Sequence, residues 1–247
     1  MTVIQIDNYG PWTDTLGDDR EYRLQVLQAR LYSSLQEEFA ERGGVVFFNR
    51  FDEMLAVTNG ISKEQHRAIQ IEVNKHFPFT VSMGVGVGWT PFEAQVNASI
   101  LLQKTGSAQS EIRKAKLACT ATLEESKSCV QIIHIDIDRI TESSTDRVSA
   151  FETSIKVMKV YADLMRSLKE HEALLFYIGG DNFMGVANGV SVDAITSLLK
   201  DYHDSNVELK CGIGIAKTGR KAVELSTMNL HKIRQDRNNF ILASTRL

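Results

Sequence analysis

Hydrophobic residues recur along this chain with two periods, and the periods alternate in the same order twice. Val3-Ile4-Gln5-Ile6 and Ile132-Ile133-His134-Ile135 are β-rich runs, each followed at once by an aspartate, Asp7 and Asp136. Both predict a strand. A helical period comes next. Leu24, Leu27, Leu31, Leu35 and Phe39 recur at spacings of three and four, which predicts a helix with one apolar face. In the second half, Val148, Phe151, Ile155, Met158, Met165 and Leu168 predict the corresponding helix, with that stripe turned to the core. Two strands around a tight turn follow, residues 43–48 with 54–57 and residues 174–178 with 183–186. A second helix, about 62–76 and about 191–202, starts in each half from a serine N-cap, Ser62 and Ser191. A fourth strand and a helix from about Pro91 or Gly219 complete each half.

The two halves are copies of one unit. Val45-Val46-Phe47-Phe48 with Asp52 and Asn59-Gly60 returns 129 positions later as Leu174-Leu175-Phe176-Tyr177 with Asp181 and Asn188-Gly189. Laying Asp7 on Asp136 matches the opening strands at the same offset, and residues 81–87 return as 209–215 at 128. The order βαββαβ with a trailing helix is the ferredoxin-like split βαβ arrangement. The expected fold is therefore α+β: two tandem ferredoxin-like units, residues 1–126 and 127–247, with antiparallel sheets covered by helices on one face. The join falls near residues 125–129. One bare sheet face and open sheet edges predict a homo-oligomer, a dimer or tetramer.

Composition narrows the function classes. With 247 residues, 43% hydrophobic and 24% charged, the chain is an ordinary globular protein. A net charge of −3 excludes a chain built to coat nucleic acid or an anionic membrane. No apolar run reaches the roughly 18 residues of a membrane helix, and no basic stretch precedes an apolar core at the N-terminus. Cys119, Cys129 and Cys211 share no metal-binding spacing, so inert thiols in a cytoplasmic protein are expected.

The strongest chemical signal is Gly179-Gly180-Asp181-Asn182, placed at a hairpin, with Asp136 at the end of the preceding first strand. These strands are neighbours in a ferredoxin-like sheet, so the two carboxylates lie over one sheet end. Two carboxylates suit Mg²⁺ when a phosphorylated substrate supplies further oxygens. The glycines admit backbone N–H groups close to phosphate. A plain hairpin carrying two surface aspartates is the competing reading.

Those residues carry a resemblance. The Ile135-Asp136 strand, the Gly179-Gly180-Asp181 hairpin, the strand Cys211-Gly212-Ile213-Gly214-Ile215-Ala216 and a late helix with Lys232, Arg234 and Arg237-Asn238 look like the palm-type nucleotidyl cyclase fold, including the diguanylate cyclase domain. Over the whole chain, the segments Thr2-Val3-Ile4-Gln5-Ile6-Asp7-Asn8-Tyr9-Gly10-Pro11-Trp12, Arg50-Phe51-Asp52, residues 78–83, Gly106-Ser107-Ala108-Gln109 and residues 176–184 resemble the archaeal GTP cyclohydrolase III family.

That resemblance implies an enzyme that binds GTP with Mg²⁺ and is activated by a monovalent cation such as K⁺. It opens the guanine imidazole ring at C8, keeps the formyl group and removes the two outer phosphates, giving a formylamino-pyrimidine nucleotide monophosphate of the kind used in riboflavin and deazaflavin synthesis. The metal ligands expected on this basis are Asp136 and Asp181, with Gly179, Gly180, Asn182, Lys232 and Arg234 around the phosphates. A nucleotidyl or diguanylate cyclase, or an idle GTP-binding module, are the alternatives. Asn182 stands where signalling cyclases carry an acidic residue.

In the first copy Arg50-Phe51 replaces the two glycines. Asp7 and Asp52 are expected to match Asp136 and Asp181. They hold a further cation, or that copy recognises base or phosphate through Arg50 and Asn8, or it only completes the core. Other features read as structural. Residues 84–88, Gly-Val-Gly-Val-Gly, lack the dinucleotide spacing and fit a strand better. Residues 111–116 read as a solvated helix face, Trp12 and Tyr9 as packing, and His134 as core.

Overall fold

Each half of the chain folds into one five-stranded sheet with helices on both faces, as seen in a computed structural model that describes residues 1–120, 129–138, 140, 146–202, 207–236 and 240–246. The first half contains β1 (Thr2–Ile6), α1 (Tyr9–Asp14), α2 (Arg20–Glu41), β2 (Val45–Arg50), β3 (Glu53–Val57), α3 (Lys63–His76), β4 (Val81–Val85), α4 (Pro91–Gln103) and β5 (Leu117–Cys119). The second contains β6 (Val130–Asp138), α5 (Ala150–Glu170), β7 (Leu174–Gly179), β8 (Asn182–Val186), α6 (Val192–Lys200), β9 (Glu208–Ala216), α7 (Gly219–Asp236) and β10 (Ile241–Arg246). The Cα framework divides into two compact units, Met1–Trp89 with Glu93–Lys127 and Thr90–Phe92 with Ser128–Leu247. The expected join lies almost wholly outside the described residues, as do Arg237 and Asn238.

The sheet orders are β2-β3-β1-β4-β5 and β10-β9-β6-β8-β7. The first four strands of each unit follow the ferredoxin-like order, antiparallel throughout. The fifth runs parallel to the fourth, so each sheet is mixed at one edge. Sequence reading missed both fifth strands. β5 is only three residues long, and a parallel partner needs a crossover that leaves no turn signature.

The expectation of a bare sheet face is overturned. Cys211 and Ile213 on β9 point into a core shared with α5 and α6, while Gly212 and Gly214 point the other way against α7. A Cβ on Gly214 would lie 2.1 Å from the Ala222 carbonyl oxygen and 2.5 Å from the Ser226 nitrogen. In the first unit Gly84 and Gly86 receive the backbone of Ala98 on α4 in the same way. The glycine-rich strands therefore exist to seat a helix at backbone distance. Asn229 on α7 fixes that seating by donating to the Ile213 carbonyl at 2.7 Å and accepting from Ser244 of β10 at 2.9 Å.

Helix starts follow the sequence. Ser62 and Ser149 form capping boxes with Gln65 and Glu152, and Ser191 caps α6. On α2 the expected stripe is largely correct, with Leu24, Leu31, Leu35 and Phe39 buried. On α5 it is not. Val157, Val160, Leu164 and Leu168 face the core, while Phe151, Ile155, Met158 and Met165 are exposed, Phe151 at 77%. The helix carries two apolar stripes, and the valine-leucine one packs on the sheet beneath it.

Candidate active site

The hairpin between β7 and β8 needs its glycines. Gly179 has φ 112° and Gly180 φ 62°, both in the left-handed region that side chains disfavour. With nothing within 4 Å of a Cβ placed on Gly179, the backbone conformation demands glycine and packing does not. Asp136 on β6 faces Asn182 on β8 across the ladder, and the Ile137 N–H donates to the Asp181 carbonyl at 3.2 Å. Asp136 and Asp181 thus meet at one sheet end, as the spacing predicts.

A polar network ties this end together. Arg234, on the last turn of α7, donates Nε–H to Asp136 Oδ2 at 3.1 Å and Nη2–H to Asp136 Oδ1. It also donates to Asn182 Oδ1 at 3.2 Å, while Asn182 Nδ2 donates to Asp181 Oδ1 at 2.7 Å. His134, two residues before Asp136 on the same face, lies between Asn182 Oδ1 (3.2 Å) and Thr227 Oγ1 of α7 (3.1 Å). It is buried as expected, but as a member of the site network. Burial lowers its pKa to about 4, so it is neutral at physiological pH. Asp136 is also buried, and desolvation raises its pKa, with Asp181 and Asp138 adding in the same direction and Arg234 opposing. Lys232 is exposed and, at roughly 100° per residue, lies about 200° round α7 from Arg234; the fold does not bring it to the site.

In the first unit the register differs from the sequence match. The hairpins agree at 129, Arg50 facing Glu53 as Gly179 faces Asn182. Ile4 faces Met54, however, and Ile135 faces Phe183, so the opening strands match at 135 − 4 = 131. Asp7 is therefore the counterpart of Asp138, and the counterpart of Asp136 is Gln5. Across the ladder, Glu53 stands where Asn182 does. The acid and the amide have changed strands between copies.

Asp7 is buried and fully engaged. Its oxygens accept from Thr80 Oγ1 (2.7 Å), Ser82 Oγ (2.6 Å), the Ala115 N–H (2.8 Å) and Arg113 Nε (2.9 Å). Arg113 also donates to Gln5 Oε1 at 2.9 Å, and Gln5 donates to Glu53. In the second unit Lys210 matches Ser82 and pairs with Asp138 at 2.7 Å. Sequence reading missed Arg113. It sits among residues 111–116, which form turns and not a helix, and it is 1% exposed.

Asp52 is half-buried with Arg50 at 3.8 Å, and Arg50 is exposed. Asn8 adopts a left-handed conformation at the start of α1, and its Oδ1 is buried without a protein partner. The 106–109 loop anchors α1, its Ala108 carbonyl accepting from the Tyr9 N–H and Gln109 Oε1 from the Gly10 N–H. Trp12 packs edge-on against Phe79 with centroids 4.7 Å apart.

Among the described residues no three His, Cys, Asp or Glu side chains cluster as a self-sufficient metal site. The donor set on offer is the pair Asp136 and Asp181. That fits Mg²⁺, which keeps waters and takes substrate oxygens to complete its shell.

The family model described as GTP cyclohydrolase III matches residues 1–245. The chain is 52% identical to the GTP cyclohydrolase III of Methanothermobacter thermautotrophicus over 95% of this chain and 94% of that protein. It is 48% identical to that of Methanocaldococcus jannaschii over 95% and 87%. Among solved structures, the GGEEF domain of a diguanylate cyclase from Vibrio cholerae is similar at a TM-score of 0.39 and 17% identity, covering 49% of this chain and 85% of that one.

Proposed function

The chain belongs to the GTP cyclohydrolase III family, and from that premise we propose that it hydrolyses GTP to 2-amino-5-formylamino-6-(5-phospho-ribosylamino)pyrimidin-4(3H)-one. The observation that carries this reading is a family match running the length of both units. One water adds at C8 and the C8–N9 bond breaks, leaving the formyl group on N7 and a proton on N9. A second water attacks the α-phosphorus, the bond from Pα to the bridging oxygen breaks, and the β- and γ-phosphates leave together as pyrophosphate.

Asp136 and Asp181 are the Mg²⁺ ligands in this reading. When bound there, Mg²⁺ neutralises charge developing on the phosphate oxygens. Gly179 and Gly180 keep the approach to the phosphates open. Asn182 orients the Asp181 carboxylate, and neutral His134 donates its Nε2–H to Asn182 Oδ1 to hold that amide in place. Arg234, which bonds Asp136, stands where it can pair with phosphate oxygens. Asp7, satisfied by four protein donors, is assigned a structural role, and Asp52 has no matching acid on β1. Arg50 and Asn8 are the first unit's candidates for nucleotide contact, Asn8 because its buried Oδ1 lacks a partner. K⁺ as activator follows from the family resemblance. We assign the protein to the cytoplasm on its three free thiols, Cys119, Cys129 and Cys211, which suit a reducing compartment. The exposed stripe on α5 supports a homo-oligomer in place of the sheet face, which α7 covers.

The test is product identity. GTP, Mg²⁺ and K⁺ should give loss of the purine ultraviolet band and a monophosphate one water heavier than GMP, without formate. An intact purine in every product would overturn the reading.

A further inference from the structure

Asp136 and Asp7 lie two register positions apart in equivalent sheets, and each is gripped by an arginine, but the two grips differ in kind. Arg113 is 1% exposed and is locked between Asp7 and Gln5. Arg234 places its fork on both oxygens of Asp136 while 45% of its side chain remains in solvent. We propose that Arg234 is an exchangeable counter-ion: it occupies Asp136 while the divalent cation is away and must leave for the cation to be coordinated. This rests on the reading of Asp136 and Asp181 as the metal ligands.

Three observations carry it. First, the Asp136 side chain is 7% exposed, and a carboxylate so placed needs a cation to remain ionised. Second, Arg234 bonds both oxygens of that carboxylate, so a metal ion at either oxygen meets a like charge held within hydrogen-bond range of its own ligand. Third, Arg234 also holds Asn182, which holds Asp181. One departure therefore frees both prospective ligands. Leaving is feasible because nearly half of the Arg234 side chain already lies in water, so the freed guanidinium has solvent to enter. Arg113 cannot do the same, so the first unit is the fixed form of this device and the second the exchangeable form.

The consequence is competition. Removing Arg234 should tighten cation binding and weaken the cation-free protein, opposite effects that loss of a purely structural residue does not produce. The experiment uses the full chain without nucleotide and Mn²⁺ as an electron paramagnetic resonance probe. Arg234→Met should bind Mn²⁺ about tenfold more tightly than wild type, a typical size for coupling through one shared group. Arg234→Lys, which keeps the charge but not the fork, should fall between. Asp136→Asn should abolish the site in either background. Arg234→Met should also melt below wild type in cation-free buffer and recover on adding Mn²⁺.

Equal Mn²⁺ affinity in wild type and Arg234→Met would overturn the exchange while leaving the metal ligands standing. Weaker binding in the variant, or a melting loss that Mn²⁺ does not restore, would also overturn it. No saturable Mn²⁺ in either protein would overturn the exchange, since the nucleotide-free site then has no cation for Arg234 to compete with.

Discussion

Arg113→Met separates a structural aspartate from a metal-binding one. The substitution removes the cation beside Asp7 but leaves the carboxylate, which is 3% exposed, with Thr80, Ser82 and the Ala115 N–H as donors. Three neutral donors do not replace a counter-charge in a site closed to water. Removing one partner of a buried pair costs about 3–5 kcal/mol, because the remaining charge is uncompensated. Gln5 also loses a donor, at about 1 kcal/mol. The expected loss is therefore about 5 kcal/mol, read by urea unfolding followed by circular dichroism. Asp7→Asn combined with Arg113→Met should recover part of it, since the uncompensated charge is gone. A loss below about 1 kcal/mol would refute the reasoning. So would full rescue of Arg113→Met by millimolar Mg²⁺, which would make Asp7 a cation ligand.

Three further outcomes follow from the fold. Gly214→Ala drives a methyl into the backbone of α7, where neither Ala222 nor Ser226 can yield, so it should cost about 3 kcal/mol in thermal or urea unfolding. On α5, Leu164→Ala should cost about 3 kcal/mol and Ile155→Ala under about 0.5 kcal/mol; reversed values would restore the stripe expected from sequence. Burial holds His66 and His134 near pKa 4, against 6.5 when unfolded. Their contribution is complete above pH 6.5 and is lost as pH falls toward 4, and near pH 5, between the two values, unfolding takes up about two protons at this pair. Denaturant titrations at pH 5 and 6 should show that slope, and His134→Gln should reduce it by about one proton.

Much of this was legible in the sequence, and what was not has particular causes. The duplication, the strand order and the pairing of Asp136 with the Gly179-Gly180 hairpin follow from periodicity and turn chemistry. The match of Asp7 to Asp136 failed because a two-residue slip keeps every side chain on its original face. The hydrophobic pattern is identical in both registers, and only the ladder, with Ile4 on Met54 and Ile135 on Phe183, distinguishes them. The α5 stripe failed because that helix is apolar on two sides. Arg113 was hidden in a charged run, where burial has no local signature; its partners Gln5 and Asp7 lie more than a hundred residues away. His134 was read correctly as buried, but its link to Asn182 depends on the strand pairing.

The central claim is that catalysis is carried by the second unit at Asp136 and Asp181. The most direct measurement compares Mg²⁺-dependent GTP turnover in Asp181→Asn with that in Asp52→Asn, the matching hairpin position of the first unit. Asp181→Asn should lose at least about 100-fold in rate with an unchanged melting temperature, as expected when charge stabilisation worth several kcal/mol is removed. Asp52→Asn should lose far less. An active Asp181→Asn beside an inactive Asp52→Asn would place the catalytic cation in the first unit and contradict the account.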